Sequence, residues 1–210
     1  MCFIMQQVFD SHIHTKYSKD AGMEPYKLMK RAKKVGLTSI AITDHNQIKG
    51  ALEAKKYEKE FNIEVIPGVE RNTDIGDVIG LFINERIKSK QFLDVVDEIK
   101  NLGGLVVLPH PYRSHFFKHI AEVEEHFDFI EVWNARSSPK QNKMFEKHIM
   151  DFHELKTITM GSDSHFYNEL GNVKIKFETD IDNFAFVDAI ELTYSKKYNI
   201  LRSIFKSFKN

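Results

Sequence analysis

Two short motifs carry side chains of the kinds that bind metal ions. In Asp10-Ser-His12-Ile-His14 the three polar residues alternate with others, so an extended chain presents them on one face. Asp163-Ser-His165 has the same spacing. Two imidazoles and a carboxylate are costly to bury together unless a cation or water compensates them. Each motif alone is also compatible with a polar surface edge, so neither decides between the two interpretations.

Further candidate ligands follow short apolar runs elsewhere in the chain. They are Asp44 and His45, Glu70, His110, and Glu131 with Asn134. A single residue of this kind is more often a hydrogen-bonded structural histidine or a solvated loop carboxylate. The joint pattern is more informative, because His, Asp or Glu lie at or beside the ends of several predicted strands in one chain. Such donors without cysteine suit Zn, Mn or Fe.

The elements that would position these residues alternate between β-rich and helical segments. Strands are predicted at 3–10, 38–43, 63–66, 78–83, 105–108, 129–133, 157–160 and 174–177, and helices at 24–36, 47–61, 89–102, 115–127, 139–152 and 184–192. Strict alternation predicts a parallel sheet, either a closed barrel or an open doubly wound sheet. Neither G-x-G-x-x-G nor a P-loop is present, which disfavours a nucleotide-binding open sheet. In a parallel barrel the carboxyl ends of all strands share one face, so the candidate ligands would converge there.

Composition narrows the class of protein. A chain of 210 residues predicts one domain, and 30 basic residues balance 30 acidic ones, which disfavours attraction of the whole surface to nucleic acid or acidic membranes. The single cysteine, Cys2, excludes an intramolecular disulfide and a cysteine-rich zinc module. No apolar run approaches a membrane span, and nothing reads as a signal peptide. We therefore expect a cytoplasmic protein without a membrane partner; the sequence does not indicate an oligomeric state.

Taken together, the motifs resemble those of the polymerase and histidinol phosphatase (PHP) family of metal-dependent phosphoesterases. The matching segments are DSHIHTKYSKDA (10–21), ITDHN (42–46), PGVE (67–70), PHPYR (109–113), IEVWN (130–134) and GSDSHFYNELG (161–171). The resemblance implies an α/β fold, a distorted TIM-like (β/α)7 barrel with the metal site at the carboxyl ends of the strands. It implies a single PHP domain over 1–210, with motifs in 9–177 and a C-terminal helical segment, 178–210, packed on the barrel.

The resemblance also implies two or three divalent ions, Zn, Mn or Fe, and assigns their ligands motif by motif. The first metal would be held by His12, His14, Glu70 and Asp163; the second by bridging Glu70, His110 and Glu131; and the third by Asp20, His45 and His165. Some family members carry histidine where this chain has Asp20. Asp10 and Asp44 are expected to orient the histidine ligands. The expected nucleophile is a metal-bridging hydroxide held by Glu70, Asp163, His12 and His14.

The function implied is hydrolysis of a phosphomonoester, a small metabolite or a nucleotide. Arg113, Arg136, Asn134 and Tyr17 are the candidate substrate-binding residues. An alternative is a nuclease that uses the same metals. Zero net charge argues against it, whereas the basic stretch 194–210 favours it. A second alternative is a non-catalytic metal-binding module, against which the apparently complete ligand set argues.

Overall fold

The computed structural model describes residues 7–113, 123–148 and 157–177 of the chain. The predicted helix at 184–192 and the whole C-terminal segment 178–210 lie outside the described residues. So do residues 3–6 of the first predicted strand and most of the helix predicted at 115–127. The polar motifs themselves all lie inside the described ranges.

The described strands form one eight-stranded sheet. They are β1 (Gln7–Ile13), β2 (Ser39–Ile42), β3 (Glu64–Asn72), β4 (Asp77–Leu81), β5 (Leu105–Leu108), β6 (Phe129–Asn134), β7 (Thr157–Gly161) and β8 (Ile175–Phe177). Their order is β7-β6-β5-β4-β3-β2-β1-β8. The segment after β7 returns to β1, because Ile13 pairs with Ser164 and the Ser11 hydroxyl donates to the Met160 carbonyl at 2.7 Å. The sheet is therefore a nearly closed barrel, which confirms the predicted fold class.

The prediction of a strictly parallel sheet was wrong at β4 and β8. β4 runs antiparallel to both β3 and β5, and β8 runs antiparallel to β1. A parallel crossover needs a dozen or more residues, whereas only Thr73–Gly76 separate β3 from β4. The Thr73 amide donates to the Gly76 carbonyl at 2.8 Å and closes the hairpin. β3 also continues past its predicted end, so Glu70 lies within the strand.

Helices cover the outside of the barrel where the sequence predicts them. They are α1 (Pro25–Val35), α2 (Lys49–Lys55), α3 (Glu58–Phe61), α4 (Phe92–Asn101) and α5 (Pro139–His148), with a 3-10 turn at Glu124–His126. Pro25 opens α1, and Gly36 ends it with a left-handed φ of 81°. The single helix predicted at 47–61 divides into α2 and α3. Among the described helices, none has the length and apolarity needed to cross a bilayer.

The apolar core fixes the strands that carry the polar residues. α1 buries Leu28 and Met29 completely, and α4 does the same with Val95 and Ile99. All four residues of β2 are buried. Each fully buried aliphatic side chain contributes about 1.5–3 kcal/mol relative to an exposed one. A packed barrel of this kind holds the ends of its strands in fixed relative positions.

Candidate metal centre

The predicted ligands meet at one end of the barrel. His12 lies in β1 and Glu70 in β3, His110 follows β5, and Asp163 follows β7. Their side chains are nearly or fully buried, with exposed fractions of 0–4%. The convergence predicted from the strand ends is therefore present, although the residues are up to 151 positions apart in the chain.

Four donor atoms form a compact group at the centre of this end. The atoms are Nε2 of His12, Nε2 of His14, Oε2 of Glu70 and Oδ1 of Asp163. The two imidazole nitrogens lie 3.0 Å apart, and each lies 3.2–3.6 Å from the two carboxylate oxygens. Four ligands at about 2.1 Å around a tetrahedral zinc ion are separated by about 3.4 Å. The donor set therefore fits a divalent cation.

Glu70 contacts histidines on both of its oxygens. Oε1 lies 2.9 Å from His110 Nε2. Oε2 lies 3.0 Å from His45 Nδ1 and 3.3 Å from His14 Nε2. The carboxylate thus stands between two groups of imidazoles, which is the position that a bridging ligand requires.

A third group of candidate ligands lies at the more exposed edge of the centre. Asp20 Oδ2 is 3.2 Å from His165 Nε2 and 3.5 Å from His45 Nε2. The Asp20 side chain is 58% exposed, whereas that of His165 is 5% exposed. This edge is therefore the part of the centre that solvent reaches most easily.

The buried charges of the centre compensate one another. Burial disfavours the charged form of Glu70, but His12 and the hydrogen bond from His110 outweigh it and hold the Glu70 pKa well below its usual value. Burial likewise opposes protonation of His12, but Asp163 and Glu131 outweigh it and raise the His12 pKa well above its usual value. The carboxylates thus stay ionised, and positive charge beside them is strongly favoured. Metal binding at such a site replaces the proton with a cation.

Glu131 contacts His12 on the side of the ring that faces away from the donor group. Its Oε1 is 3.1 Å from Nδ1 of His12, the ring nitrogen that does not face the donor group. Its Oε2 accepts hydrogen bonds from the His110 amide at 2.8 Å and from Asn134 Nδ2 at 2.9 Å. Gly161 makes room for this carboxylate, since a Cβ there would come within 2.4 Å of Glu131 Oε1.

His14 is oriented through a serine that the sequence analysis did not identify. Its Nδ1 lies 3.1 Å from Ser18 Oγ, which in turn donates to Asp44 Oδ1 at 2.7 Å. Asp44 also accepts a hydrogen bond from the Thr15 amide at 2.6 Å. Asp44 is thus connected to His14 through the hydroxyl of Ser18. Ser18 lies in the loop after β1, and no spacing rule in the sequence indicates this contact.

Asp10 contacts the backbone and no imidazole nitrogen of the described residues. Its Oδ1 accepts hydrogen bonds from the amides of Ser162, at 2.9 Å, and His12, at 3.5 Å. Burial raises the pKa of Asp10 to about 7, although the bonds from Ser162 oppose the shift. The residue ties β1 to the segment after β7.

The backbone is left-handed at two of the candidate ligands. His110 has φ 30° and Asp163 has φ 51°. Non-glycine residues in sparsely populated conformations cost about 1–3 kcal/mol each and persist where the surrounding structure enforces them. Such strain commonly accompanies functional positions, and here it turns both side chains toward the centre.

The predicted substrate-binding residues divide into two pairs. Arg113 and Asn134 lie at the centre, 2.5 Å and 3.2 Å from Asp163 Oδ2. Arg136 instead contacts Glu169 at 3.2 Å, and Tyr17 donates to Glu53 at 2.7 Å. The structure brings the first pair to the candidate metal ligands and engages the second pair with other carboxylates.

Asp77, at the start of β4, was missed by the sequence analysis. A side-chain oxygen of Asp77, a side-chain oxygen of Glu70 and a ring nitrogen of His110 all lie within 4.8 Å of one another. The sequence did not indicate Asp77 as a candidate because the predicted β3 ends before Glu70. The β3–β4 hairpin, which returns Asp77 to Glu70, was therefore not recognised.

Comparison with known sequences gives one family and several relatives. The sequence profile of the PHP domain matches residues 10–209. An uncharacterised protein of Methanocaldococcus jannaschii is 44% identical over 139 residues, covering 60% of this chain and 81% of that protein. A 5'-3' exoribonuclease of Haemophilus influenzae is 39% identical over 148 residues. That match covers 57% of this chain and 52% of the enzyme, so this chain spans about half of the enzyme's length.

Two solved structures share the fold. A Bifidobacterium adolescentis protein assigned as a metal-dependent phosphoesterase superimposes with a TM-score of 0.60 at 19% identity, covering 76% of this chain and 88% of that chain. Histidinol phosphate phosphatase of Lactococcus lactis, solved with zinc, L-histidinol and phosphate, gives a TM-score of 0.51 at 19% identity, covering 77% and 87%. At these identities the likeness establishes the barrel.

Proposed function

This chain belongs to the PHP domain family, and we propose that it is a metal-dependent hydrolase of phosphoric esters whose substrates are small phosphomonoesters. The observation that carries the proposal is the donor group around Glu70. Its two histidine nitrogens lie 3.0 Å apart and 3.2–3.6 Å from the two carboxylate oxygens, and Arg113 stands at its rim. When bound, divalent ions supply a water nucleophile at neutral pH and polarise phosphoryl oxygens.

In this proposal three groups of side chains hold the ions. His12, His14, Glu70 and Asp163 hold the first metal, Glu70 and His110 contribute to the second, and Asp20, His45 and His165 hold the third. The spacing of the first group and the two-sided contacts of Glu70 support this assignment. The exposed position of Asp20 makes its site the weakest of the three.

Arg113 is the residue that we assign to the phosphate group. Its guanidinium lies 2.5 Å from Asp163 Oδ2, and its side chain is 31% exposed, so it reaches both the ligands and the solvent. A planar guanidinium binds two phosphate oxygens at once. Asn134 is a second donor at the same carboxylate. Together they would hold the oxygens of the phosphate that do not react.

The short segment between Glu70 and His110 favours a small substrate. The 39 residues between Glu70 and His110 are taken up by the end of β3, the hairpin to β4, α4 and β5, so no capping domain is inserted there. The Lactococcus lactis neighbour was solved with a small alcohol and phosphate. These short segments, with the partly exposed Arg113 beside the candidate ligands, are suited to a phosphate group and a small organic part.

A substrate screen of the metal-reconstituted protein tests the proposal. The panel comprises phosphomonoesters, phosphodiesters and short oligonucleotides, and the readouts are released phosphate and shortened oligonucleotide. We expect phosphate release from a subset of the monoesters, lost on chelation and restored by Mn or Zn. Activity confined to diesters or oligonucleotides would overturn the monoester assignment.

A second candidate function is removal of nucleotides from the 5' end of RNA. The observation that favours it is the 39% identity to the Haemophilus influenzae exoribonuclease. The same screen separates the two, because an exonuclease releases mononucleotides from an oligoribonucleotide and leaves free phosphate unchanged. Zero net charge argues against a long nucleic-acid track on this chain.

A further inference from the structure

We propose that Phe166 is a specificity-determining residue, an aromatic surface on which a flat ring in the organic part of the substrate stacks. The inference rests on the proposed phosphomonoesterase function and deepens it, because it favours monoesters whose organic part carries an aromatic ring. It is carried by the exposure of the Phe166 ring, by its place beside a candidate metal ligand, and by the hydrogen bonds that fix the turn around it.

Phe166 exposes its ring although its two neighbours in the chain are tied into the structure. Phe166 is 50% exposed, whereas His165 is buried. Tyr167 packs against the core, and its hydroxyl accepts a hydrogen bond from the Glu24 amide at 2.8 Å. The other large apolar side chains that are exposed in the described part of the chain lie on α1, α2 and α4: Tyr26, Leu52 and Leu93. Phe166 is the member of this group that directly follows a candidate ligand.

The ring lies beside the loop that forms the solvent-exposed edge of the centre. This edge is marked by Asp20, whose Oδ2 is 3.2 Å from His165 Nε2. Two residues later in the same loop, the Gly22 amide donates to the His165 carbonyl at 3.1 Å. Cε1 of Phe166 lies 3.9 Å from the position that a Cβ of Gly22 would occupy. The exposed ring and the exposed carboxylate therefore flank the same edge.

A carboxylate fixes the turn that presents the ring. Oε2 of Glu169 accepts hydrogen bonds from the His165 amide at 2.8 Å and from the Phe166 amide at 3.2 Å. The Glu169 amide donates in return to the Phe166 carbonyl at 3.0 Å. Arg136 donates to the same Glu169 oxygen at 3.2 Å, so its contribution to this edge is to hold Glu169 in place. A turn fixed in this way loses little freedom when a ligand stacks on its side chain.

The organic part of a substrate needs space that solvent reaches beside the centre. The donors of the central group are nearly or fully buried, and Arg113 contacts the group at Asp163. The Asp20 side chain is 58% exposed, so its edge offers such space, and Phe166 lies on it. Aromatic rings attract each other in offset-stacked or edge-to-face arrangements. Stacking on an aromatic side chain is also tolerant of the identity of the ring, since every base has a π-face.

Matched pairs of substrates test the inference on the metal-reconstituted protein. Adenosine 5'-monophosphate and ribose 5-phosphate share their ester bond and differ in the base, whereas benzyl phosphate and cyclohexylmethyl phosphate differ in the flatness of the ring. We expect Phe166→Ala and Phe166→Leu to lower kcat/KM for the aromatic members by at least about fivefold. The values for the other members should stay within about twofold of the wild type. Phe166→Tyr keeps the ring and should retain the preference.

The two pairs also separate the sources of the ring. A loss confined to adenosine 5'-monophosphate assigns the surface to a nucleobase, and a loss for both aromatic members assigns it to flat rings in general. The control is Leu93→Ala, which removes an exposed apolar side chain from α4 and should match the wild type. Equal losses for aromatic and other members in Phe166→Ala, or no loss for either, would overturn the inference.

Binding of adenosine gives a readout without turnover, because adenosine has no ester bond. Saturation-transfer NMR should show contact of the base with the wild type and with Phe166→Tyr, and lose it in Phe166→Ala. A protein that binds adenosine through Phe166 and hydrolyses no monoester would overturn the proposed function but keep the ring-binding role. A protein that hydrolyses monoesters while Phe166→Ala binds adenosine as the wild type does would overturn this inference alone.

Discussion

Oε1 of Glu70 lies 2.9 Å from Nε2 of His110, while Oε2 of Glu70 faces the histidines on the other side of the centre. This relationship makes Glu70 a carboxylate shared by two groups of candidate ligands. Removing the charge of Glu70 should therefore reduce metal binding more than removing the charge of a carboxylate that belongs to one group.

The variants Glu70→Gln and Asp20→Asn test this difference. We expect Glu70→Gln to lose two ions per chain and Asp20→Asn to lose one, because the candidate ligands that Asp20 contacts among the described residues are His45 and His165. Phosphatase activity should fall further in the first variant. Elemental analysis after dialysis measures the metal content, and circular dichroism checks that both variants fold. Equal losses of metal and activity would contradict the bridging position of Glu70.

Arg113 should affect substrate binding more than metal binding. Arg113→Ala should lower kcat/KM by one to two powers of ten, since a hydrogen bond to a charged group contributes about 1.5–3 kcal/mol. Arg113→Lys should recover part of this loss, because lysine keeps the charge but not the planar pair of donors. Steady-state kinetics on a monoester measures both.

The control for Arg113 is Arg86→Ala, an exposed residue away from the centre, which should leave the kinetics unchanged. Unaltered kinetics in Arg113→Ala, together with a clearly lower melting temperature, would assign the arginine to its contact with Asp163 alone.

Gly161 should resist substitution for a steric reason. A Cβ at this position would lie 2.3 Å from His12 Cβ and 2.4 Å from Glu131 Oε1, so Gly161→Ala must relieve both clashes. We expect a loss of about 1–3 kcal/mol in the free energy of unfolding, together with weaker metal binding. Denaturant unfolding and metal titration measure the two effects.

Gly22→Ala is the matched control, since its Cβ would meet only the ring of Phe166, at 3.9 Å. Its free energy of unfolding should stay within about 0.5 kcal/mol of the wild type. A Gly161→Ala variant as stable as Gly22→Ala, with the metal content of the wild type, would show that Glu131 and His12 do not need their present spacing.

The convergence of ligands could be predicted from the sequence because it depends on one rule. Residues at the carboxyl ends of parallel strands share a face, so His12, His110 and Asp163 come together whatever the details of packing. The barrel and its helices follow from alternating apolar patterns in the same way. These predictions needed only element types and their order.

The contacts that the sequence did not reveal depend on register and on close packing. Asp77 reaches Glu70 only because four residues turn β3 back into β4, and the predicted end of β3 concealed that turn. Glu131 Oε1 can approach His12 because Gly161 has no side chain to fill the space beside them. Such relationships join residues far apart in the chain, and no periodicity within either segment encodes them.

Metal content measured together with activity tests the central claim most directly. The protein is stripped with a chelator, reconstituted with Mn or Zn, dialysed, and analysed for metal per chain and for phosphate release from a monoester. The account predicts at least two divalent ions per chain, with activity that disappears on chelation and returns on reconstitution. Less than one ion per chain after reconstitution, or monoester hydrolysis that persists without metal, would contradict it.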